Sequence, residues 1–408
     1  MTHASPAPGP APGPAPSHAS AEPSLWLGIG FGFLSSLGPV AIDLYLPAMP
    51  GMAQALAVEN GAVQRTLSAF FLGLALAQIP LGMLGDRFGR RRPLLAGLAL
   101  FAAASIACAL ATSLEQLILF RFAQGMGACA GTSSVRAMIR DRHSGHRAAR
   151  LMAFTFLIIG ISPVIAPLAG SYLLELTSWR GLFLLLACGG GVAALAAGLT
   201  LPESLPPARR SHGQPVLAPC LRLLGNRSFM SWTLVAGLAT TTPFAFVTAA
   251  PFIYSGGFGL DARSYSLLLA LNAVVSIGAT QFAPGLMRTH GARRLVTGAA
   301  LVAIGATAAF ALLAGGHAPL PLFQLYAMLL FALSGLILTP AATSALDAAA
   351  GGAGAAAGLL GTLQLAITAL ASGTVSLLPS FSVMPLVTVL GTSFTIMWAT
   401  MMARGRRV

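Results

Sequence analysis

Gly181-Leu182-Phe183-Leu184-Leu185-Leu186-Ala187-Cys188-Gly189-Gly190-Gly191-Val192-Ala193-Ala194-Leu195-Ala196-Ala197-Gly198-Leu199-Thr200-Leu201 runs for 21 residues without a charge. Roughly 20 apolar residues wound as a helix cross the hydrocarbon core of a bilayer, which is about 30 Å thick. A barrel strand would instead alternate in polarity over about 10 residues, and this run does not alternate. Read outward from it, similar runs fall at 25–47, 67–86, 93–113, 116–137, 151–176, 180–201, 228–254, 264–287, 293–314, 320–345, 356–379 and 382–403. They predict twelve membrane-spanning helices in an all-α polytopic protein.

Composition agrees. Apolar residues make up 56% of the 408, charged residues only 8%, and mean hydropathy is +0.81. A water-soluble surface needs about 25% charged residues, so lipid must be the solvent here. The net charge of +13 comes entirely from arginine, since the chain has no lysine. With the amino terminus cytoplasmic and the spans alternating, nineteen of the 23 arginines fall on the inner side: 87–92, 136–150, 209–227, 288–294 and 404–407. Only Arg65, Arg121, Arg180 and Arg263 remain on the outer side or outer span ends. That bias is the topological signal of inner-membrane proteins, so the basic charge needs no nucleic-acid partner. Both termini are expected in the cytoplasm, with membrane lipid around the spans.

The chain divides by composition. Residues 1–24 form a Pro/Ala/Gly tail with too little apolar content to fold. Residues 25–201 hold six spans, 202–227 form a polar linker, 228–403 hold six more, and 404–408 form a basic tail. An internal repeat is expected, because Gly89 and Gly291 lie 202 residues apart in matching loops. Cys108, Cys129, Cys188 and Cys220 form no CxxC pair, and the histidines are scattered; neither disulfides nor a metal site is expected.

Four stretches carry more chemistry than packing requires. Gly82-Met83-Leu84-Gly85-Asp86-Arg87-Phe88-Gly89-Arg90-Arg91-Arg92 sets one acid among four bases around three glycines. Asp43, in Ala41-Ile42-Asp43-Leu44-Tyr45-Leu46-Pro47, lies within an apolar run, where an acid costs about 2.5–3.5 kcal/mol on insertion scales. Pro39 and Pro47 free the carbonyls of Ser35 and Asp43 from their helical partners, which points Asp43 toward a cavity rather than lipid. Arg121, in Arg121-Phe122-Ala123-Gln124-Gly125-Met126-Gly127, sits at a depth comparable to Asp43, so the two can pair. Gly160, Pro163, Pro167 and Gly170 fall on one helical stripe, as a packing seam or a loosened helix would.

These motifs, taken together, resemble the major facilitator superfamily from about Leu25 to Arg404. Residues 82–92 look like its signature loop between helices two and three. Residues 121–127 and 160–170 resemble motifs of its proton-coupled exporters. Asp43-Leu44-Tyr45-Leu46-Pro47-Ala48 is similar to the branch named for bicyclomycin and chloramphenicol resistance, and Ala250–Tyr254, Ala270–Asn272, Leu346-Asp347, Ala353-Gly354 and Gly361-Thr362 agree. The resemblance implies two six-helix halves around a central cavity and a monomeric drug–proton antiporter. It places Asp43 and Arg121 near the coupling site and Gly82, Asp86, Arg87, Gly89 and Arg90 in a gating loop. The stripe at Gly160, Pro163, Pro167 and Gly170 marks antiport. Tyr45, Gln124, Phe244, Tyr254, Asn272 and Gln364 are candidate cavity residues that packing would explain equally well. The energy source would be the proton gradient, with no cofactor. The second-half loop lacks the acid, which argues against a symmetric gate. An ATP-driven pump needs a Gly-Lys-Ser/Thr loop, which a chain without lysine cannot form. An intramembrane enzyme needs clustered catalytic groups, and the ten acids are dispersed. An importer, or a carrier dedicated to one metabolite, stays open at this point.

Overall fold

The computed structural model describes residues 25–143, 145–210, 217–314, 318–349, 353–377 and 382–405. The expected tail at 1–24, the end of the chain at 406–408 and part of the linker lie outside them. The first half contains α1 (Leu25–Asp43), α2 (Met49–Ala55), α3 (Asn60–Phe88), α4 (Arg91–Leu110), α5 (Leu114–Arg142), α6 (Gly145–Leu176) and α7 (Trp179–Thr200). A short helix, α8 (Leu217–Gly225), precedes the second half. That half contains α9 (Arg227–Phe252), α10 (Ala262–His290), α11 (Ala292–Ala314), α12 (Leu320–Asp347), α13 (Ala353–Ser376) and α14 (Met384–Gly405). No strand occurs among the described residues.

Eleven of these helices, counting α1 and α2 as one span, are long and apolar enough to cross a membrane. The twelfth, α5, is equally long at 29 residues but carries Glu115, Arg121, Gln124 and Arg136. It packs against α3, α4 and α1, so most of that polarity faces protein. Glycine makes the crossing possible. A Cβ on Gly73 of α3 would overlap the Phe122 carbonyl, and one on Gly125 of α5 would overlap that of Phe70. Gly125 thus belongs to the helix crossing.

Two expectations about boundaries change. The first span does not run unbroken to residue 47. It stops at Asp43, passes through a 3-10 turn at Leu46–Ala48, and resumes as α2. Pro47 lacks the N–H that would continue the ladder to Asp43. The stretch 82–92 is also mostly helix, because α3 continues through Phe88 and the reversal takes only Gly89 and Arg90.

The halves are related copies. Gly89 (φ 91°, ψ 163°) and Gly291 (φ 77°, ψ 149°) adopt nearly the same backbone, in a region open essentially to glycine alone. After each turn an arginine reaches the last helix of its own half: Arg91 donates to the Gly198 carbonyl, and Arg293 to that of Met401 at 3.2 Å. Deeper in, Gln124 donates to Ser105 at 2.6 Å, and Tyr326 lies 3.3 Å from Thr307. Gln124 and Ser105 lie 202 residues before Tyr326 and Thr307, respectively.

The halves meet along α3 with α13 and α6 with α10. Away from the arginine-rich end, the Ser68 and Ser372 hydroxyls lie 3.0 Å apart, with Thr248 2.8 Å beyond Ser372. There Phe71 also packs edge-on to Phe244, and Arg263 lies over the Tyr172 ring.

Candidate functional site

Arg121 is wholly buried on α5. Its Nη1 donates to Gln124 Oε1 at 2.6 Å and to the Ala41 carbonyl at 3.1 Å. Gln124 is held in turn by Ser105. The guanidinium carbon lies 4.3 Å from the Tyr45 ring centre, 4.4 Å from Phe70 and 5.7 Å from Phe183. Tyr45 is anchored by Thr66, 3.2 Å from its hydroxyl. Negative ring faces take part of the role a carboxylate would play for this charge. Nε and Nη2 lack an acceptor among the described residues.

Asp43 closes α1 and is also buried. It does not pair with Arg121; Ser162 of α6 faces it instead. The expectation of a pair rested on depth and left out azimuth. Residues two apart on a helix point to nearly opposite sides. Ala41 therefore meets α5 while Asp43 turns toward α6. Arg121 still acts on the acid's position, because it holds the carbonyl two residues before the helix ends.

The α6 stripe reaches α1 at one end only. A Cβ on Gly170 would overlap the Leu44 carbonyl, Pro167 is buried and Pro163 half-buried, whereas Gly160 has open space around it. Among the cavity candidates, Tyr45, Gln124, Tyr254 and Asn272 are fully buried inside their own halves. Tyr254 donates to Gln324, whose amide donates to Asn272 at 2.8 Å. Phe244 and Gln364 are partly exposed, on α9 and α13.

At the arginine-rich end Asp86 and Arg90 form an i,i+4 ion pair at 2.6 Å. Arg90 also bonds Asp141, at the end of α5, at 3.0 Å. Arg87 is exposed and lies over Phe88, and Gly82 is half-buried on α3. Glu203, just past α7, accepts the backbone N–H groups of Arg90 (2.8 Å), Arg91 (3.3 Å), Ser204 (2.9 Å) and Leu205 (3.0 Å). It thereby caps α4 from another segment, at the positive end of the helix dipole. Burial raises the Glu203 carboxyl, but the four N–H groups outweigh it and hold the group below the usual carboxylate range. A Cβ on Gly89 would strike the same carboxylate. Sequence reading missed Asp141 and Glu203. Asp141 had a weak signal, an acid between Arg140 and Arg142, whereas Pro202-Glu203-Ser204 carries none.

The profile of the Major Facilitator Superfamily matches residues 29–372. The uncharacterized MFS-type transporter YdgK of Bacillus subtilis is 32% identical over 353 residues, covering 85% of this chain and 88% of that protein. The multidrug resistance protein MdtL of Klebsiella pneumoniae is 30% identical over 61% of this chain and 63% of its own length. The bicyclomycin resistance protein homolog of Haemophilus influenzae is 28% identical over 61% and 63%. The chain thus spans a little under two thirds of the two resistance proteins. The fold is similar to that of a bacterial homolog of the human lysosomal transporter Spinster in an inward-facing, occupied conformation, with TM-score 0.69, 17% identity and coverage of 92% and 93%. It is also similar to a D-xylose–proton symporter, with TM-score 0.70, 13% identity and coverage of 92% and 98%. With long apolar helices in two related halves and a profile match across most of its length, this chain belongs to the Major Facilitator Superfamily, a family of membrane transporters and not of enzymes.

Proposed function

We propose that the protein exports a drug or small amphipathic compound in exchange for inward protons, by alternating access, in the bacterial inner membrane. In this reading the arginine-rich end and both termini are cytoplasmic, the protein works as a monomer, and the proton gradient replaces any cofactor. The two resistance proteins among its relatives support drug export over import.

One observation carries the mechanism: a buried carboxyl, Asp43, sits at the break in the first span and has no cation paired to it among the described residues. A proton on this group removes the cost of its charge in the membrane. Protonation from one side and release to the other then couple to movement of one half against the other. Each proton moving inward through 100 mV yields about 2.3 kcal/mol. Arg121 positions the acid through the Ala41 carbonyl, and substrate and proton compete at the end of α1.

The test is exchange in proteoliposomes with an imposed pH gradient. Wild-type protein should accumulate substrate against its gradient, while Asp43→Asn should permit only downhill exchange. Equal pH-driven accumulation by the Asn variant would exclude Asp43 as the coupling acid. A susceptibility panel in a pump-deficient host, with Asp43→Asn as control, separates drug export from a carrier dedicated to one metabolite, which would protect against nothing.

A further inference from the structure

A small cavity of about 60 Å³ lies at the arginine-rich end of the first half, between the start of α1 and the ends of α5 and α7. A buried water needs roughly 10–15 Å³ on this measure, so the space takes a group the size of a phosphate. Its walls divide by chemistry. Leu27, Phe31 and Leu201 form an apolar side, and Arg142, His143 and Ser204 a polar one.

The rim faces lipid. Trp26 on α1 and Leu199 on α7 are 79% and 78% exposed on helices otherwise suited to a membrane. A tryptophan so placed sits at headgroup depth. Behind the polar wall, Asp141 is paired with Arg90 and Glu203 is taken up by backbone N–H groups, which leaves Arg142 as the arginine of the lining. Arg142 donates through Nη2 to the carbonyls of Glu203 (2.8 Å) and Pro202 (3.3 Å), and no carboxylate forms an ion pair with it among the described residues. Burial, with Arg142 and Arg147 adding to it, holds the His143 imidazole below its usual range. The ends of α5 and α7 oppose an anion with only about half a charge each.

We propose that this cavity binds the phosphate of an anionic phospholipid headgroup, with the acyl chains lying over Trp26 and Leu199. An apolar rim beside a basic floor fits a phospholipid better than a free phosphate ion. The site bears on the rest of the molecule through Ser204, which lines the cavity and also donates to Asp141 at 3.2 Å. Arg142 likewise holds the segment whose Glu203 caps α4. Lipid occupancy therefore steadies the cluster around Arg90.

The test is native mass spectrometry of the full-length protein in detergent, titrated with phosphatidylglycerol, phosphatidylcholine or inorganic phosphate. Phosphatidylglycerol should be retained in preference to phosphatidylcholine. Arg142→Gln with His143→Gln should lower that retention by about fivefold or more, as expected from one charge near anionic lipid. Arg142→Lys with His143 intact should keep most of it, which separates lost charge from misfolding. Equal retention of the two lipids, or an unchanged Gln variant, would overturn the proposal. Displacement of the lipid by inorganic phosphate would make this a site for the free ion and overturn it as well.

Discussion

The two halves share a backbone and divide the chemistry. In the first, the position 202 residues before Phe323 is Arg121, a buried cation ringed by Tyr45, Phe70 and Phe183. In the second, Phe323 itself packs among Phe246, Tyr254, Phe258 and Phe310, with centroids 5.6–6.1 Å apart. The surface turns differ in the same way. Both keep the glycine and the arginine that reaches the last helix. Only the first keeps Asp86, Arg90 and Asp141; the second has Arg288, Ala292 and Thr343 at those places. What both copies retain serves the shared backbone; under the proposed function, what only the first retains serves transport.

The largest expected effect breaks this comparison at its centre. Arg121→Met replaces a buried charge with an apolar side chain of similar length, a change that is often neutral for stability. Transport should nevertheless fall by about a hundredfold, the loss that mispositioning a reacting group brings. Phe323→Met should cost less than about 1.5 kcal/mol and leave transport close to wild type. Uptake assays beside thermal unfolding in detergent check both. Equal transport losses would show that the two positions are alike despite their chemistry.

The glycine turns sharpen the comparison. Gly89→Ala and Gly291→Ala should each destabilise by about 1–3 kcal/mol, because both force a side chain into glycine-only backbone. Gly291 has open space around it, whereas a Cβ at Gly89 meets Glu203. Gly89→Ala should therefore be the worse by about 1 kcal/mol more, the worth of the displaced hydrogen bonds. Equal melting temperatures would detach Glu203 from the turn.

Glu203 itself supplies a pH dependence. Its carboxyl is held below the usual range, so its contribution is complete above the unfolded value of about 4.3 and is lost as pH falls through the lower folded value. Glu203→Gln should cost about 1 kcal/mol near neutral pH, as loss of a helix cap does. It should also flatten the acid limb of a stability–pH curve. An unchanged acid limb would assign that limb to other carboxyls.

The fold was legible because burying a membrane helix requires only a long apolar run, and such runs stand out against polar loops. The single exception, α5, was still found at 116–137, since its charges are far apart along the helix. The site was legible in its residue types and not in its pairing. Asp43 and Arg121 were singled out as charges at comparable depth, but a depth along the chain says nothing about which way a side chain turns at the end of α1. Asp141 and Glu203 escaped because they join the cluster from other segments. No local motif marks an acid whose partner is 51 residues away, or one that bonds backbone N–H groups 112 and 113 residues away.

The smallest expected effect comes from rebuilding the lost pair. Arg288→Asp with Ala292→Arg restores, 202 residues on, the acid and base that face each other at Asp86 and Arg90. The turn at Gly291 keeps nearly the backbone of the turn at Gly89, so the two side chains should meet as Asp86 and Arg90 do. Its worth should be only about 0.3–0.5 kcal/mol and should vanish at high salt, because Arg288 is exposed. Transport should not change. The new arginine would find Thr343 where Arg90 finds Asp141, and no acid answering to Glu203 among the described residues. Thermal unfolding at low and high salt measures the pair, and uptake measures its consequence. A clear gain or loss of transport would mean that an acid–base pair alone makes a gate, and that the third and fourth members of the first-half cluster are incidental. An unchanged rate would leave the network, rather than the motif, as the unit that matters.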